Sequence, residues 1–331
     1  MLRESDSPMQ ARLFHLHALS ALHCGTGQSA GVVDLPIARA RATRLPIVPG
    51  SSLRGVLRQE VADRGGQAES DAATLFGPRS ISGDSEAFAG ALSIGDAHLL
   101  LLPVRCLAGI VSYVTSPFIL GRYARDLTRA GVVPQQSLPQ HDTDTAKVTA
   151  ASVNRVRGRD GAAVRSGTPS KGATPDELAG GTLVLDDLDL TASTDAALTV
   201  WAEYIARVVH PGDPESQRDL VSRVALLPDT VMSFLADTAT ETRARIAVDP
   251  KTGTVSKGAL WYEEFLPAEA VLWGVYALSD SNRAGDPRSA DALARALPGD
   301  GALLQIGGHA GVGSGLVRFL AGTGASEGGR S

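Results

Sequence analysis

Leu45-Pro46-Ile47-Val48-Pro49-Gly50-Ser51-Ser52-Leu53-Arg54-Gly55-Val56-Leu57-Arg58 sets a short, proline-bracketed extended run directly against a helix start. Serine is read as the N-cap, and Leu53, Val56, Leu57 and Val61 follow as an apolar stripe at helical spacing. Gly65-Gly66 ends the helix. Arg54 and Arg58 lie one turn apart beside the stripe. An arginine in a first turn faces the positive end of the helix dipole, at a cost of about 0.3–1 kcal/mol. A capped helix N-terminus that carries it reads as an anion site. The plain alternative is a solvated surface arginine.

Upstream, Leu13 to Leu19 alternates, with Phe14, Leu16 and Ala18 on one face and His15 and His17 on the other. That is the period of a half-buried first strand. The glycine-rich His23-Cys24-Gly25-Thr26-Gly27 follows, then the extended Asp34-Leu35-Pro36-Ile37. Downstream, Ala91–Leu107 supplies core strands, and Ala196–Val209 reads as a helix ended by Pro211. Residues 131–181 are polar, rich in Gly, Pro and Thr, and aperiodic, as in a long functional or disordered loop. Residues 243–267 read as a long β-hairpin. Ala244, Ile246 and Val248 share one face of its first arm, Asp249-Pro250-Lys251-Thr252-Gly253 makes the turn, and Leu260–Phe265 lies in the second arm. The chain closes on Gly307-Gly308-His309-Ala310-Gly311-Val312-Gly313-Ser314-Gly315 and a Gly/Ser-rich tail over 322–331. Strand, glycine loop, capped helix, hairpin and second glycine loop fit an α+β fold of the RRM/ferredoxin type, laid out as one domain over 1–331. Such a sheet is a common RNA-reading platform. The aromatic strands of an ordinary RRM are missing, so backbone contacts should outweigh base stacking.

Composition bounds the function. With 43% hydrophobic residues, 20% charged and a net charge of −5, the chain has the makings of a folded core. Two cysteines, Cys24 and Cys106, neither frame disulfides nor show metal-ligand spacing, which sets a reducing cytoplasm as the default compartment. The most lipid-like run, Cys106 to Gly121, is short of the roughly 20 residues that span a bilayer and is interrupted by Pro117; no membrane partner is expected. Acidity overall conceals two basic blocks, Arg39 to Arg64 and Lys147 to Lys171, that suggest localised phosphate contacts. The C-terminal glycine loop has neither P-loop nor Rossmann spacing.

Taken in order, the stretches around His23, Asp34 and Leu45–Arg58 resemble the N-terminal signature of RAMP proteins. Leu75-Phe76-Gly77, Asp96 to Arg105, Thr115-Ser116-Pro117 and Gly258 to Pro267 are similar to the backbone subunits of type III-B (Cmr) CRISPR effector complexes, and Gly307–Gly315 resembles the RAMP glycine-rich loop. The matches span nearly the whole chain. The resemblance implies a filament of copies along a CRISPR RNA, beside other Cmr-type effector subunits, with a hairpin thumb that interrupts the guide–target duplex. It implies cleavage of single-stranded target RNA with a divalent metal, Mg2+ or Mn2+, leaving a cyclic phosphate, so that the target's 2′-hydroxyl is the nucleophile.

By the same resemblance Asp34 is the essential aspartate, as general base or ligand of a metal-bound water, and His23 is a loop histidine suited to proton transfer. Glu263 and Glu264 match an acidic pair in the second hairpin arm. Adjacent strand residues face opposite sides, so only one of them should face the site. Phe265 stands where the family pattern leads one to expect tyrosine. Arg54 and Arg58, with the amides of Ser51 and Ser52, are the expected guide-phosphate contacts, an arginine fork replacing the more usual lysine. Gly311, Gly313 and Gly315 should approach the guide backbone, Arg243 and Arg245 either strand, and Arg155, Arg157 and Arg159 are further basic candidates. Two other activities fit the same residues: a structural subunit that only binds guide RNA, and a stand-alone RAMP endonuclease that processes precursor guides.

Overall fold

The computed structural model of the protein describes residues 10–26, 34–79, 87–107, 109–132, 137–139, 144, 147–151 and 181–321. Most of the 131–181 segment, with Arg155, Arg157 and Arg159, and the 322–331 tail lie outside the described residues. The N-terminal half runs β1 (Gln10–Ala18), β2 (Ile47–Val48), α1 (Gly50–Ala62), α2 (Ala68–Phe76), β3 (Leu92–Ile94), β4 (Ala97–Cys106), β5 (Ile110–Thr115) and α3 (Pro117–Arg129). Then come β6 (Lys147–Ala150), β7 (Gly181–Leu185), β8 (Leu188–Thr194), α4 (Ala196–Val209), α5 (Pro214–Arg223), β9 (Val224–Leu226) and α6 (Asp229–Thr238). The C-terminal part holds β10 (Glu241–Val248), β11 (Val255–Phe265), β12 (Val271–Leu278), α7 (Ala290–Ala294), β13 (Ala302–Gln305) and β14 (Leu316–Ala321).

The fold is mixed α+β around one large sheet, ordered β13-β14-β1-β12-β4-β5-β9-β6-β8-β7, while β10 and β11 form a separate two-stranded ribbon. Among the described residues no helix is long and apolar enough to cross a membrane. The lipid-like run from Cys106 becomes the end of β4, all of β5 and the start of α3, where Ser116 caps the helix by accepting from the Ile119 amide.

β1 is buried on both faces, not one. Phe14, Leu16 and Ala18 lie in the core, with the Phe14 ring stacked on Phe319 at 5.7 Å, and His15 and His17 are equally enclosed. The histidine face is covered by α3 and the end of α4. His15 Nε2 is 2.7 Å from the Tyr123 hydroxyl, and His17 Nε2 is 2.8 Å from Glu269. Burial pushes the His15 imidazole down to about 4, so at neutral pH it is a neutral partner of Tyr123. Alternation in sequence reports side-chain polarity, and two enclosed histidines, each bonded through Nε2, read as a wet face.

The first helix also starts differently from the sequence expectation. Pro49 is the N-cap residue and neither serine hydroxyl caps. The Gly50 amide instead donates to Asp96 Oδ1 at 2.8 Å, so a carboxylate from the β3–β4 turn occupies the helix N-terminus. Gly50 is there for space, because a Cβ would fall 2.9 Å from the Gly95 carbonyl. Leu53, Leu57 and Val61 are the buried stripe.

At the sheet centre Gly274 of β12 pairs with Phe14 of β1, and a Cβ on Gly274 would meet Phe14 Cζ at 2.3 Å. Gly274→Ala is therefore expected to destabilise the protein by about 1–3 kcal/mol, the cost of overpacking a filled core. Adding Phe14→Leu should return part of that loss. Urea midpoints of the two variants check both expectations.

Candidate active site and nucleic-acid interface

Four segments meet at the base of the hairpin. The loop after β1 joins the end of β11 through Leu22 and Leu266, which exchange backbone hydrogen bonds of 2.8 and 2.9 Å. Residues 34–39 lie alongside β11: the Leu35 amide donates to the Tyr262 carbonyl, and the Glu264 amide donates to the Leu35 carbonyl. The C-terminal glycine loop closes the group, with the Gly308 amide donating to the His23 carbonyl at 2.9 Å. Gly307 has φ 81°, and a Cβ there would fall 2.2 Å from the His23 carbonyl oxygen. The glycine is thus required by close contact with the His23 backbone.

This arrangement brings Asp34, His23, Glu263 and Glu264 together, in unlike environments. Asp34 is exposed, and its Oδ2 accepts from the Tyr262 amide at 2.9 Å. His23 is buried, with Nδ1 donating to the Glu264 carbonyl at 2.7 Å. Because a carbonyl only accepts, that bond puts the proton on Nδ1 and leaves Nε2 as the open nitrogen. A Cβ on Gly25 would lie 2.6 Å from that Nε2, so glycine at this position keeps it uncovered.

Both glutamates are buried. Glu263 accepts from Arg245 Nε at 3.0 Å and from Trp261 Nε1 at 2.8 Å. Burial alone would raise its carboxyl, but the Trp261 and Arg245 hydrogen bonds and the charges of His309 and Arg245 outweigh it and hold Glu263 below the usual carboxylate range. Glu264 is held by Arg39 Nη2 (2.5 Å), the Ile37 amide (3.1 Å) and the Thr240 hydroxyl (2.9 Å). Its carboxylate is fully committed to structure. The two carboxylates have no partner in common among these contacts: Glu263 meets Arg245, Trp261 and His309, Glu264 meets Arg39, Ile37 and Thr240, and both are buried because the strand end is covered on both faces.

Sequence reasoning missed His309, Trp261 and Arg39 as site members. The His309 ring meets the His23 ring at 4.9 Å in an edge-on contact, and its Nε2 is 3.6 Å from Glu263 Oε2. Its φ of 65° is left-handed, a conformation that asparagine, aspartate and histidine adopt more readily than most residues. A histidine set among glycines was the available signal. Arg39 was read as part of a phosphate-binding block, yet it is buried against Glu264 and Asp237.

The ribbon faces are inverted relative to ordinary amphipathic logic. Arg243 and Arg245 point toward the body of the protein, Arg243 pairing with Glu241 and lying 4.6 Å over the Phe265 ring. Ile246, Val248, Val255, Leu260 and Tyr262 are exposed. In the first helix, Ser51 is exposed and Ser52 half-buried. Arg54 Nη2 donates to the Phe76 carbonyl and its guanidinium lies 5.6 Å over that ring. Arg58 has a buried Nε with no partner, and burial, aided by the charges of Arg79 and Arg54, lowers its pKa, with Glu69 opposing. Gly311 and Gly313 have open space above them, whereas Gly315 is packed against the Ile306 carbonyl and is structural. Among the described residues no hydrogen bond or ion pair joins the glycine loop to Arg54 or Arg58.

Among the described residues no three or more His, Cys, Asp or Glu side chains gather in a way that could hold a metal ion. Asp34 offers one exposed carboxylate, and Glu263 is taken by Arg245 and Trp261. Such a donor set suits a hard cation that keeps its waters and shares a substrate phosphate, not a protein-built cage.

The sequence pattern of the RAMP superfamily matches residues 15–318, and the chain belongs to that superfamily, within its Cmr-type branch. It is 33% identical over 315 residues, covering 94% of this chain and 95% of the relative, to the CRISPR system Cmr endoribonuclease Cmr4 of Pyrococcus furiosus. The crystal structure of oligomeric Cmr4 from Pyrococcus furiosus superposes with a TM-score of 0.64 at 26% identity, covering 95% of this chain and 99% of that one. A chain in the cryo-EM structure of a type III-B Cmr-beta complex bound to cognate target RNA has a TM-score of 0.65 at 16% identity, covering 94% and 96%, and shares the fold.

The commitment of Glu264 separates it from Glu263. Arg39→Ala should cost about 3–5 kcal/mol, since it leaves a buried carboxylate unpaired, and thermal unfolding should show it. Arg39→Met with Glu264→Gln should lose less than Arg39→Ala alone.

Proposed function

We propose that this chain is a guide-RNA-binding filament subunit of a type III-B CRISPR effector complex that cleaves complementary target RNA. The observation that carries the reading is Asp34, exposed and anchored by the Tyr262 amide beside Glu263, in a chain one-third identical from end to end to a Cmr endoribonuclease. Cleavage proceeds by attack of the target 2′-hydroxyl on the adjacent phosphate. Asp34 takes the 2′-proton or holds a water that does so, and His23, through its open Nε2, serves proton transfer at the same centre. Glu263 orients the groups around it, while Glu264 and Arg39 hold the 34–39 segment in place.

A divalent cation, Mg2+ or Mn2+, is proposed at Asp34; when bound it neutralises charge on the scissile phosphate. The sheet acts as an RRM/ferredoxin-like palm. Support comes from the order β14-β1-β12-β4, antiparallel throughout, in which the two outer strands of a four-stranded unit are the last and the second in chain order. The β10–β11 ribbon is the thumb, and its exposed Ile246, Leu260 and Tyr262 face suits contact with unstacked bases. Guide phosphates are held by Arg54 and Arg58, with the Ser51 and Ser52 amides and the Gly311 and Gly313 backbone in support, and the partners are CRISPR RNA, single-stranded target RNA, further copies of the chain and other Cmr-type subunits in the cytoplasm. With Asp96 at the N-terminus of α1, the arginine side chains, not the helix dipole, carry the anion contact.

In a reconstituted complex, Asp34→Ala should reduce single-turnover target cleavage by at least about 100-fold with guide binding unchanged. Chelation by EDTA should abolish cleavage, with return on adding Mg2+ or Mn2+. Normal cleavage by Asp34→Ala in an intact assembly would leave the non-catalytic backbone subunit as the better description. Arg58→Gln should weaken guide binding and lower the salt slope of log K by about one, with the melting temperature unchanged.

A further inference from the structure

Three side chains around the scissile centre are fixed, and one is not. His23 is tied through Nδ1, Glu263 through Arg245 and Trp261, and Glu264 through Arg39, Ile37 and Thr240. His309 has no hydrogen bond to any of them. Its Nε2 is 3.6 Å from Glu263 Oε2, beyond hydrogen-bonding distance but within reach of the carboxylate's charge, and its side chain is 27% exposed. Its ring lies edge-on to His23 at 4.9 Å and tilted over Phe265 at 5.7 Å. The loop that carries it is pinned to the His23 carbonyl by the Gly308 amide, so the two imidazoles are held at one site from opposite ends of the chain.

We propose that His309 is the general acid of the cleavage reaction, donating a proton to the departing 5′-oxygen. The inference rests on the target-cleavage reading and names the proton donor to the 5′-oxygen, which that reading leaves unassigned. The 2′-oxygen forms a bond to phosphorus and gives its proton to Asp34. The bond from phosphorus to the 5′-oxygen breaks with its electron pair on that oxygen, which takes the proton from His309 Nε2. The products are a 2′,3′-cyclic phosphate and a 5′-hydroxyl, and no redox partner is involved. An acid and a base on opposite sides of the phosphorus are what an in-line displacement at neutral pH requires. The charged and titratable groups facing His309 are Glu263 on β11, with Arg245 behind it, and His23 on the loop after β1. Glu263 stays ionised there, and its negative charge faces the imidazole.

The test uses the reconstituted complex and two target RNAs, one natural and one with sulfur in place of the bridging 5′-oxygen at the cleavage position. A thiolate leaves without a proton, so the sulfur target bypasses a missing acid. His309→Asn, chosen because asparagine tolerates the left-handed backbone, is expected to cut the natural target about 100-fold or more slower and the sulfur target within a few-fold of the unmodified complex. In the unmodified complex the natural target should lose rate as pH rises and the sulfur target should not. Equal losses on both targets would assign His309 a structural role only, and an unaffected natural target, or an unmodified complex whose alkaline fall-off is the same for both, would also overturn the proposal. Asp34→Ala keeps the two readings apart, because loss of the base slows both targets. Unimpaired Asp34→Ala beside a sulfur-rescued His309→Asn would discard the base and keep the acid.

Discussion

The buried ion pair between Arg39 and Glu264 is the constraint on which the site depends. Arg39 reaches Glu264 at 2.5 Å and also donates to the carbonyls of Arg44 and Ala236, while Glu264 takes the Ile37 amide and the Thr240 hydroxyl. One pair therefore joins the segment after Asp34, the end of α6, the start of β10 and the end of β11. Pairs this enclosed add little net stability, because desolvation offsets attraction, but removing one partner is costly. What the pair supplies is register. With Leu35 hydrogen-bonded to Tyr262 and Glu264, Asp34 has one possible position, at the edge of β11.

Much of the fold was legible in periodicity and breakers. The α4 boundaries, the α1 stripe and the alternating arms around Asp249–Gly253 all follow from local rules, because helical spacing and turn chemistry act over a few residues. The Asp249 side chain accepts from the Lys251 amide and Gly253 takes φ 67°, as that turn chemistry implies. Where the sequence misled, a distant partner was responsible. Asp96 comes from 46 residues away to occupy the N-terminus of α1 in place of a serine cap. Tyr123 and Glu269 hydrogen-bond the histidines of β1. No local pattern encodes such partners.

The candidate site divides in the same manner. Asp34, His23 and the glutamates were reachable only because ordered motifs resemble a family, since a single loop aspartate or histidine carries no such message. His309 was printed in the glycine loop, yet its meaning depends on the loop docking against His23, nearly 290 residues earlier in the chain. Arginines misled in the opposite direction: Arg39, Arg243 and Arg245 read as phosphate ligands, and each is paired with a glutamate in the protein. Charge density along a sequence cannot separate a cation offered to solvent from one spent on a neighbour.

The spent arginines also explain the hairpin. Arg243 over Phe265 and Arg245 on Glu263 make up the polar face of the ribbon, and that face meets the body of the protein where Glu263 and Phe265 lie against His309 and His23, so the apolar face looks outward. An outward apolar face on a two-stranded ribbon costs solvation, and a monomer gains nothing from it. Because strand residues alternate, the orientation that turns Ile246, Leu260 and Tyr262 to solvent also turns Glu263 the other way, next to His309. Orientation of the ribbon and electrostatics of the site are thus a single arrangement: a ribbon rotated to hide its apolar face would carry Glu263 away with Arg245 and Trp261, and remove the charge that faces His309.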